Sequence, residues 1–217
     1  MHVPDGLLPP STAIAGYAIT GGMTWYCLRK IERGNYPSEK IPKASLLTAG
    51  FFVASLIHIP IPPASIHLVL NGMMGVTLGY FAFPAVLVGL FFQTVLFQHG
   101  GLSTLGVNTA MMGIPALLAY GLFRLLARRS CIRPARAIAA GFWAGSLALA
   151  LSAAIFCTLV LATLPAEIDA QAERTALWAA AIGYGIQAPI EGAFTAMLVG
   201  FLQRVKPELL EDRSAGA

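Results

Sequence analysis

Seven apolar runs, separated by short connections, constrain this chain more tightly than any single motif. They cover approximately residues 11–28, 44–58, 66–82, 84–98, 107–126, 137–164 and a last stretch ending near Val205. A helix needs about 20 mainly apolar residues to cross the hydrocarbon core of a bilayer, so 217 residues accommodate these crossings and no appended soluble domain. Composition agrees: 57% of residues are hydrophobic and 11% charged, against about 45–50% and about 25% in a soluble domain. A surface with so few charges cannot face water, which excludes a soluble enzyme, a disordered chain and a coiled coil. The expected fold is an all-α integral membrane protein of one domain. A segment over residues 1–10 precedes a seven-helix bundle over 11–205, and a tail follows over 206–217.

The basic residues orient the spans. Arg29, Lys30, Arg33, Lys40 and Lys43 lie between the first two runs, Arg124, Arg128, Arg129, Arg133 and Arg136 after the fifth, and Arg204, Lys206 and Arg213 after the seventh. Alternating crossings put all of these on one side, the cytoplasm by the positive-inside rule, and the N-terminus outside. A six-span arrangement would scatter them. Arg174 alone lies opposite, among Glu167, Asp169 and Glu173. The net charge of +4 thus reports topology rather than nucleic-acid binding. Cys27, Cys131 and Cys157 form no C-x-x-C pair and indicate neither a disulfide framework nor a thiolate site.

Three irregular stretches stand out on the outer side: Ile59-Pro-Ile-Pro-Pro-Ala-Ser65, His99 to Val107, and Gly183-Tyr-Gly-Ile-Gln-Ala-Pro189. Non-helical backbone at membrane depth must be buried in protein or line a wet cavity. The third stretch leads to the expectation that the last crossing begins near Ala188, with 165–187 lying against the bundle as an outer segment. Small residues (Ala15, Ala18 and Gly22; Ser45 and Ala49) suit close helix packing or a face for another membrane subunit.

All four histidines fall at the outer face. Imidazole is the commonest metal-binding side chain, so metal capture competes with chance as the reason. His2 sharpens this choice. The Met1 α-amine, the His2 amide nitrogen and the His2 imidazole Nδ1 can close a five- and a six-membered chelate ring on one ion, sharing the amide nitrogen. That amide must lose its proton, which nickel(II), copper(II) and to a lesser degree cobalt(II) promote. The three donors are nearly coplanar, so one more imidazole completes a square-planar site, a geometry typical of nickel or copper. The bland alternative is a solvated histidine at a frayed terminus. The opening Met1-His-Val-Pro-Asp-Gly6 has an acid and no lysine, unlike a secretory signal, so Met1 is expected to be retained. Pro4, Asp5 and Gly6 allow a turn that folds the segment back into a cavity.

His67 is favoured as the fourth ligand, because it is expected to open the third helix directly after the Pro-Pro-Ala-Ser turn; an interfacial histidine is its plain alternative. His58 and His99 suit supporting roles, such as fixing an imidazole tautomer. The polar residues within spans are Asn71, Gln93, Asn108, Gln187 and Glu191. Glu191 is the one acid in a span. It is either functional or a hydrogen-bonding link between helices. No G-x-x-x-x-G-K-[ST] phosphate loop occurs, so ATP hydrolysis by this chain is not expected, and no hydrolase constellation is present.

The opening Met-His-x-Pro-Asp-Gly-x-Leu-Pro, the Ile-Pro-Ile-Pro segment leading to His67, Gln98-His-Gly-Gly-Leu-Ser-Thr-Leu-Gly-Val-Asn-Thr109 and the stretch from Pro189-Ile-Glu-Gly to Leu210 together resemble the CbiM/NikM family. These are the substrate-binding (S) components of cobalt/nickel energy-coupling factor (ECF) transporters, and the resemblance covers nearly the whole chain. It implies an extra N-terminal helix on a six-helix core, and an inserted N-terminal segment. The metal would be held by the Met1 amine, the His2 amide and imidazole, and His67. Nickel(II) or cobalt(II) is then transported substrate, with no organic cofactor. The implied partners are a transmembrane coupling protein (T component) and two ABC-type ATPases. The short run after Leu210 leads to the expectation of a small, separate CbiN/NikN-like membrane subunit. The middle of the sixth run and the acidic segment 165–175 carry no motif of the family.

Three competitors make different demands. A stand-alone proton-coupled secondary metal transporter needs a relay, for which Glu191 is the sole acid. An intramembrane enzyme needs a substrate that the sequence does not name. A vitamin-binding subunit needs an aromatic-lined cavity instead of a nitrogen cluster.

Overall fold

A computed structural model of the chain describes residues 1–34, 40–61, 64–127, 134–163 and 170–210, the side chains of residues 40, 58–61, 64–66, 170–174 and 176 excepted. Residues 128–133 and 164–169, which include several of the topogenic charges, and those after Leu210 lie outside the described residues. The elements in order are α1 (Pro10–Arg33), α2 (Lys40–Ser55), a hairpin of β1 (His58–Ile61) and β2 (Ala64–His67), α3 (Asn71–Leu78), a 3-10 turn, α4 (Ala82–Phe97), α5 (Leu105–Ala127), α6 (Pro134–Thr163) and α7 (Ala170–Val205). The fold is nearly all-helical. Among the described residues, four helical stretches are long and apolar enough to cross a membrane: Asn71–Phe97, Leu105–Ala127, Pro134–Thr163 and Leu177–Val205; Ile41–Ser55 is a shorter apolar helix. Large apolar side chains face outward (Ile14, Leu46, Leu125, Trp178 and Ile182 among them) while Asn71, Gln93, Asn108 and Glu191 are buried, the inverse of a water-soluble domain.

The stretch Asn71–Phe97 is not one straight rod. Asn71 Nδ2 donates to the Met112 carbonyl at 3.2 Å, Gly75 abuts Ala116, and Gly79 abuts the Tyr120 ring, so α3 runs parallel to α5. Beyond the turn, Phe83 lies against Gly113 and Gln93 reaches Ser55 and His2. The helix α4 therefore returns toward the end where α3 began. The reversal occurs at Gly79, whose φ of +58° is costly for a residue with a Cβ. Gly75 serves a different need: an added Cβ would sit 1.9 Å from the Ala116 oxygen. Gly75→Ala is expected to cost about 1–3 kcal/mol through overpacking, seen as a lower melting temperature in detergent. Gly21→Ala, with nothing within 4 Å, is the control. Equal melting of the two would refute the close α3–α5 approach.

Two sequence expectations need correction. The third run does not begin a helix at residue 66, and His67 does not open one: residues 64–67 form β2, paired antiparallel with β1 in the register His58↔His67. Pro60, Pro62 and Pro63 lack the N–H a helix needs and push their predecessors into extended conformations, and the flanking β-branched isoleucines favour a strand. The all-α expectation thus gives way to helices plus one hairpin. The other correction concerns α7, which is continuous from Ala170 through Pro189 to Val205 instead of starting near Ala188. A proline deletes one helical hydrogen bond, but α6 supports α7 on both sides of it: Phe156 packs edge-on against Tyr184 before the proline, and Gly145 and Ser146 meet Thr195 and Gly192 after it.

Candidate metal centre

The first six residues fold back against the bundle. Asn108, on α5, uses both ends of its amide on Val3: Oδ1 accepts the Val3 N–H at 2.9 Å and Nδ2 donates to the Val3 carbonyl at 3.0 Å. The Thr104 hydroxyl donates to that same carbonyl at 2.6 Å. Val3 itself is buried beside Leu8 and Val107. Asp5 accepts the N–H groups of Leu102 (3.1 Å) and Ser103 (2.8 Å) and the Ser103 hydroxyl. Hydrogen bonding by Ser103 holds this exposed carboxyl below its usual 3.8. The chain then turns at Gly6, φ +84°, into α1. The segment is tied down by side chains far along the chain.

This anchoring buries Met1, which is 6% exposed, with its α-amine 2.9 Å from His67 Nε2. Desolvation penalises the ammonium and lowers its pKa from 8.0 to about 5, so the amine is neutral at pH 7. The His2 ring is also pushed well below 6.5, by burial first and then by the adjacent amine, His67 and His99. His2 Nε2 lies 2.9 Å from Gln93 Oε1. Its Nδ1 is buried and has no hydrogen-bond partner.

His67 reaches the cluster from the end of β2, its main-chain carbonyl accepting Gln187 Nε2 at 2.6 Å. His99 follows Gln98, a residue in the left-handed conformation that ends α4, and its N–H donates to the Gln93 carbonyl at 3.2 Å. Ring centroids are 5.1 Å apart for His2–His67, 4.9 Å for His2–His99 and 5.6 Å for His67–His99. One ring nitrogen from each of the three lies within 4.8 Å of the others. Nitrogen donors gathered in this way can hold a borderline divalent ion such as nickel, copper, cobalt or zinc.

Met1, His2, His67 and His99 therefore converge, with His99 closer to the centre than the sequence suggested. Asp5 and Asn108 anchor the segment. Asn71 points away, bonding the Met112 carbonyl, Ser152 Oγ (2.8 Å) and the Gly72 N–H. Glu191 accepts the N–H groups of Val69 and Leu70 and is bonded by Gln187, one step behind His67. His58 faces His67 in the hairpin register, but its side chain lies outside the described residues. From sequence, Gln93 stands out only as a polar residue within a span, and Ser103 and Thr104 carry no assigned role. The run Gln98 to Asn108 was the signal that could have found the last two.

Fold and site together define a helical membrane protein with a partly buried nitrogen cluster at one end of its bundle. A structure titled as that of a transition metal transporter shares the fold with a TM-score of 0.81 at 22% identity, covering 94% of this chain and 93% of that one; a truncated transition metal transporter follows at 0.71 and 21%. Residues 2–209 match the CbiM family, described as the cobalt uptake substrate-specific transmembrane region, and the chain belongs to that family. Among its relatives are the fused nickel transport protein NikMN of Rhodobacter capsulatus, 32% identical over 100% of this chain and 66% of that protein, and the cobalt transport protein CbiM of Geobacter sulfurreducens, 29% identical over 97% and 61%. The chain spans less than two thirds of the length of either relative.

Proposed function

We propose that this chain is the substrate-specificity subunit of an ATP-driven, ECF-type uptake transporter for nickel(II) or cobalt(II). It crosses a prokaryotic cytoplasmic membrane seven times, with the N-terminus and the nitrogen cluster outside. The observation that carries this reading is His2 Nδ1: a buried polar atom without a partner is costly, and this one belongs to the donor set a His2 chelate requires. The separation of 2.9 Å between the Met1 amine and His67 Nε2 supports it too. Two neighbouring donors of a square plane, each about 2.0–2.1 Å from a metal, stand about 2.9 Å apart. The proposed ligands are the Met1 amine, the His2 amide and Nδ1, and His67 Nε2. His99 lines the same cluster.

Membership of the CbiM family supports the remaining partners. A transmembrane coupling protein and two ATPases supply the energy, and a small NikN-like subunit acts beside this one. The alternating directions of α2 through α5 and the basic connections support the seven-span, N-terminus-out topology. The stand-alone proton-coupled alternative rests on Glu191, whose carboxylate is engaged by two main-chain N–H groups, an arrangement that suits a brace better than a relay. The two differ in energy source: uptake should need the ATPases and should survive collapse of the proton gradient.

Calorimetric titration of the purified chain with nickel tests the site. With amine and ring already neutral at pH 7, only the amide has a proton to lose, so about one proton should be released per ion and log K should rise by about one per pH unit. Below about pH 5 the amine takes up a proton and must lose it on binding, so affinity should fall more steeply there. Nickel binding without proton release near neutrality would overturn the amide chelate.

A further inference from the structure

Gln93 sits near the outer end of α4 and is 0% exposed, an amide in a helix whose other residues, Thr94 apart, are apolar or small. Both of its ends are used. Nε2 lies 2.7 Å from Ser55 Oγ, and Oε1 lies 2.9 Å from His2 Nε2. The direction of this network is set at its far end. Ser55 Oγ lies 2.7 Å from the main-chain carbonyl of Phe52, which can only accept, so the hydroxyl proton points there. Ser55 therefore offers Gln93 a lone pair, and Gln93 must turn its NH2 group toward Ser55 and its carbonyl toward His2. That carbonyl also can only accept. The proton of a neutral His2 ring is thereby placed on Nε2, and the lone pair on Nδ1, the atom left buried without a partner.

We propose that Gln93, held in one orientation by Ser55, is the positioning residue that fixes His2 as its Nε2–H tautomer and so reserves Nδ1 for the metal. The choice of nitrogen matters because only Nδ1 can close a six-membered ring with the residue's own amide nitrogen. A proton on Nδ1 would leave Nε2 as the donor, pointing away from the backbone, and the chelate could not form. Gln93 serves the cluster a second time through its main-chain carbonyl, which accepts the N–H of His99. The hydroxyl of Ser55 ends α2 and the amide of Gln93 lies on α4, so the tautomer is set by the packing of two helices and not by the N-terminal segment itself. This inference rests on the nickel/cobalt reading for its purpose. The tautomer is a property of the metal-free protein.

Nitrogen-15 NMR of histidine-labelled, metal-free full-length protein in detergent near pH 8 tests it, with nickel titration as the second readout. The wild-type chain is expected to show His2 as a single Nε2–H tautomer with a slowly exchanging ring proton. In Gln93→Leu the acceptor is gone, and in Ser55→Ala the amide is free to turn over. Both should mix the tautomers, speed exchange of that proton and weaken nickel binding 10- to 100-fold, the range for residues that orient metal ligands. Gln93→Glu presents an acceptor whether ionised or protonated and should restore the single tautomer. An Nδ1–H proton on wild-type His2 would overturn the assignment without any variant. So would a single Nε2–H tautomer and unchanged nickel affinity in Gln93→Leu. A locked tautomer in a wild-type protein that binds no nickel would instead overturn the metal reading.

Discussion

One alanine placed ahead of Met1 is expected to abolish high-affinity nickel binding. The extension turns the α-amine into an amide, which, like the His2 amide, can donate only after losing a proton, and it moves the free amine one residue out of the register that faces His67. The space is also closed: Met1 is 6% exposed and part of the main apolar core, so an added residue must displace the segment. Metal sites of four ligands bind with about 10–16 kcal/mol, or about 2.5–4 per donor, so losing the amine alone should raise Kd about a hundred- to a thousandfold. Losing the chelate register should raise it further. His67→Ala, which removes one donor and leaves the ring pair intact, should do less damage than the extension. Equilibrium binding on protein whose N-terminus has been checked by mass spectrometry decides the matter. Unchanged affinity in the extended chain would remove Met1 from the site, and a larger loss in His67→Ala would mean that the histidines, not the chelate, dominate.

The parts of this molecule legible from sequence are those in which cause and effect are close along the chain. The runs 107–126 and 137–164 became Leu105–Ala127 and Pro134–Thr163, because a long apolar stretch with no charge before its last turn has no other stable state in a bilayer. The proposed chelating set at Met1 and His2 can be read from sequence for the same reason: all three nitrogens belong to two consecutive residues. What was not legible depends on contacts across the fold. The hairpin took His67 out of the expected helix through proline chemistry that a count of apolar residues ignores, and Pro189 did not end α7 because α6 braces both of its halves. The bonds that hold the N-terminal segment join Val3 to Asn108 and His2 to Gln93, positions 105 and 91 apart. No local pattern marks those pairs. Gln93 is visible in sequence as a polar residue in an apolar run, but its direction is defined only once Ser55 and Phe52 stand behind it.

Glu191→Ala is expected to destabilise the protein strongly and to weaken the metal site from behind. Between β2 and α3 the chain passes Leu70, a residue with φ of 52°, and its N–H and that of Val69 point at Glu191, at 2.7 and 2.5 Å. Both residues are buried, so no water can replace the carboxylate. Each orphaned donor costs about 1–3 kcal/mol, which makes about 2–6 kcal/mol for the pair. The effect reaches His67 because Gln187, one helical turn from Glu191, bonds both its carboxylate (3.2 Å) and the His67 carbonyl (2.6 Å). Glu191→Gln keeps one acceptor and turns an NH2 group on the other donor, so an intermediate loss is expected. Thermal unfolding in detergent, nickel affinity and cellular uptake, measured on the same variants, separate a brace from a proton relay. A brace predicts that all three fall together, in the order wild type, Gln, Ala. A relay predicts that Glu191→Gln melts and binds nickel like wild type while gradient-driven uptake stops. The second pattern would return the stand-alone transporter to first place, since a carboxyl that can be neutralised without structural cost is free to carry protons.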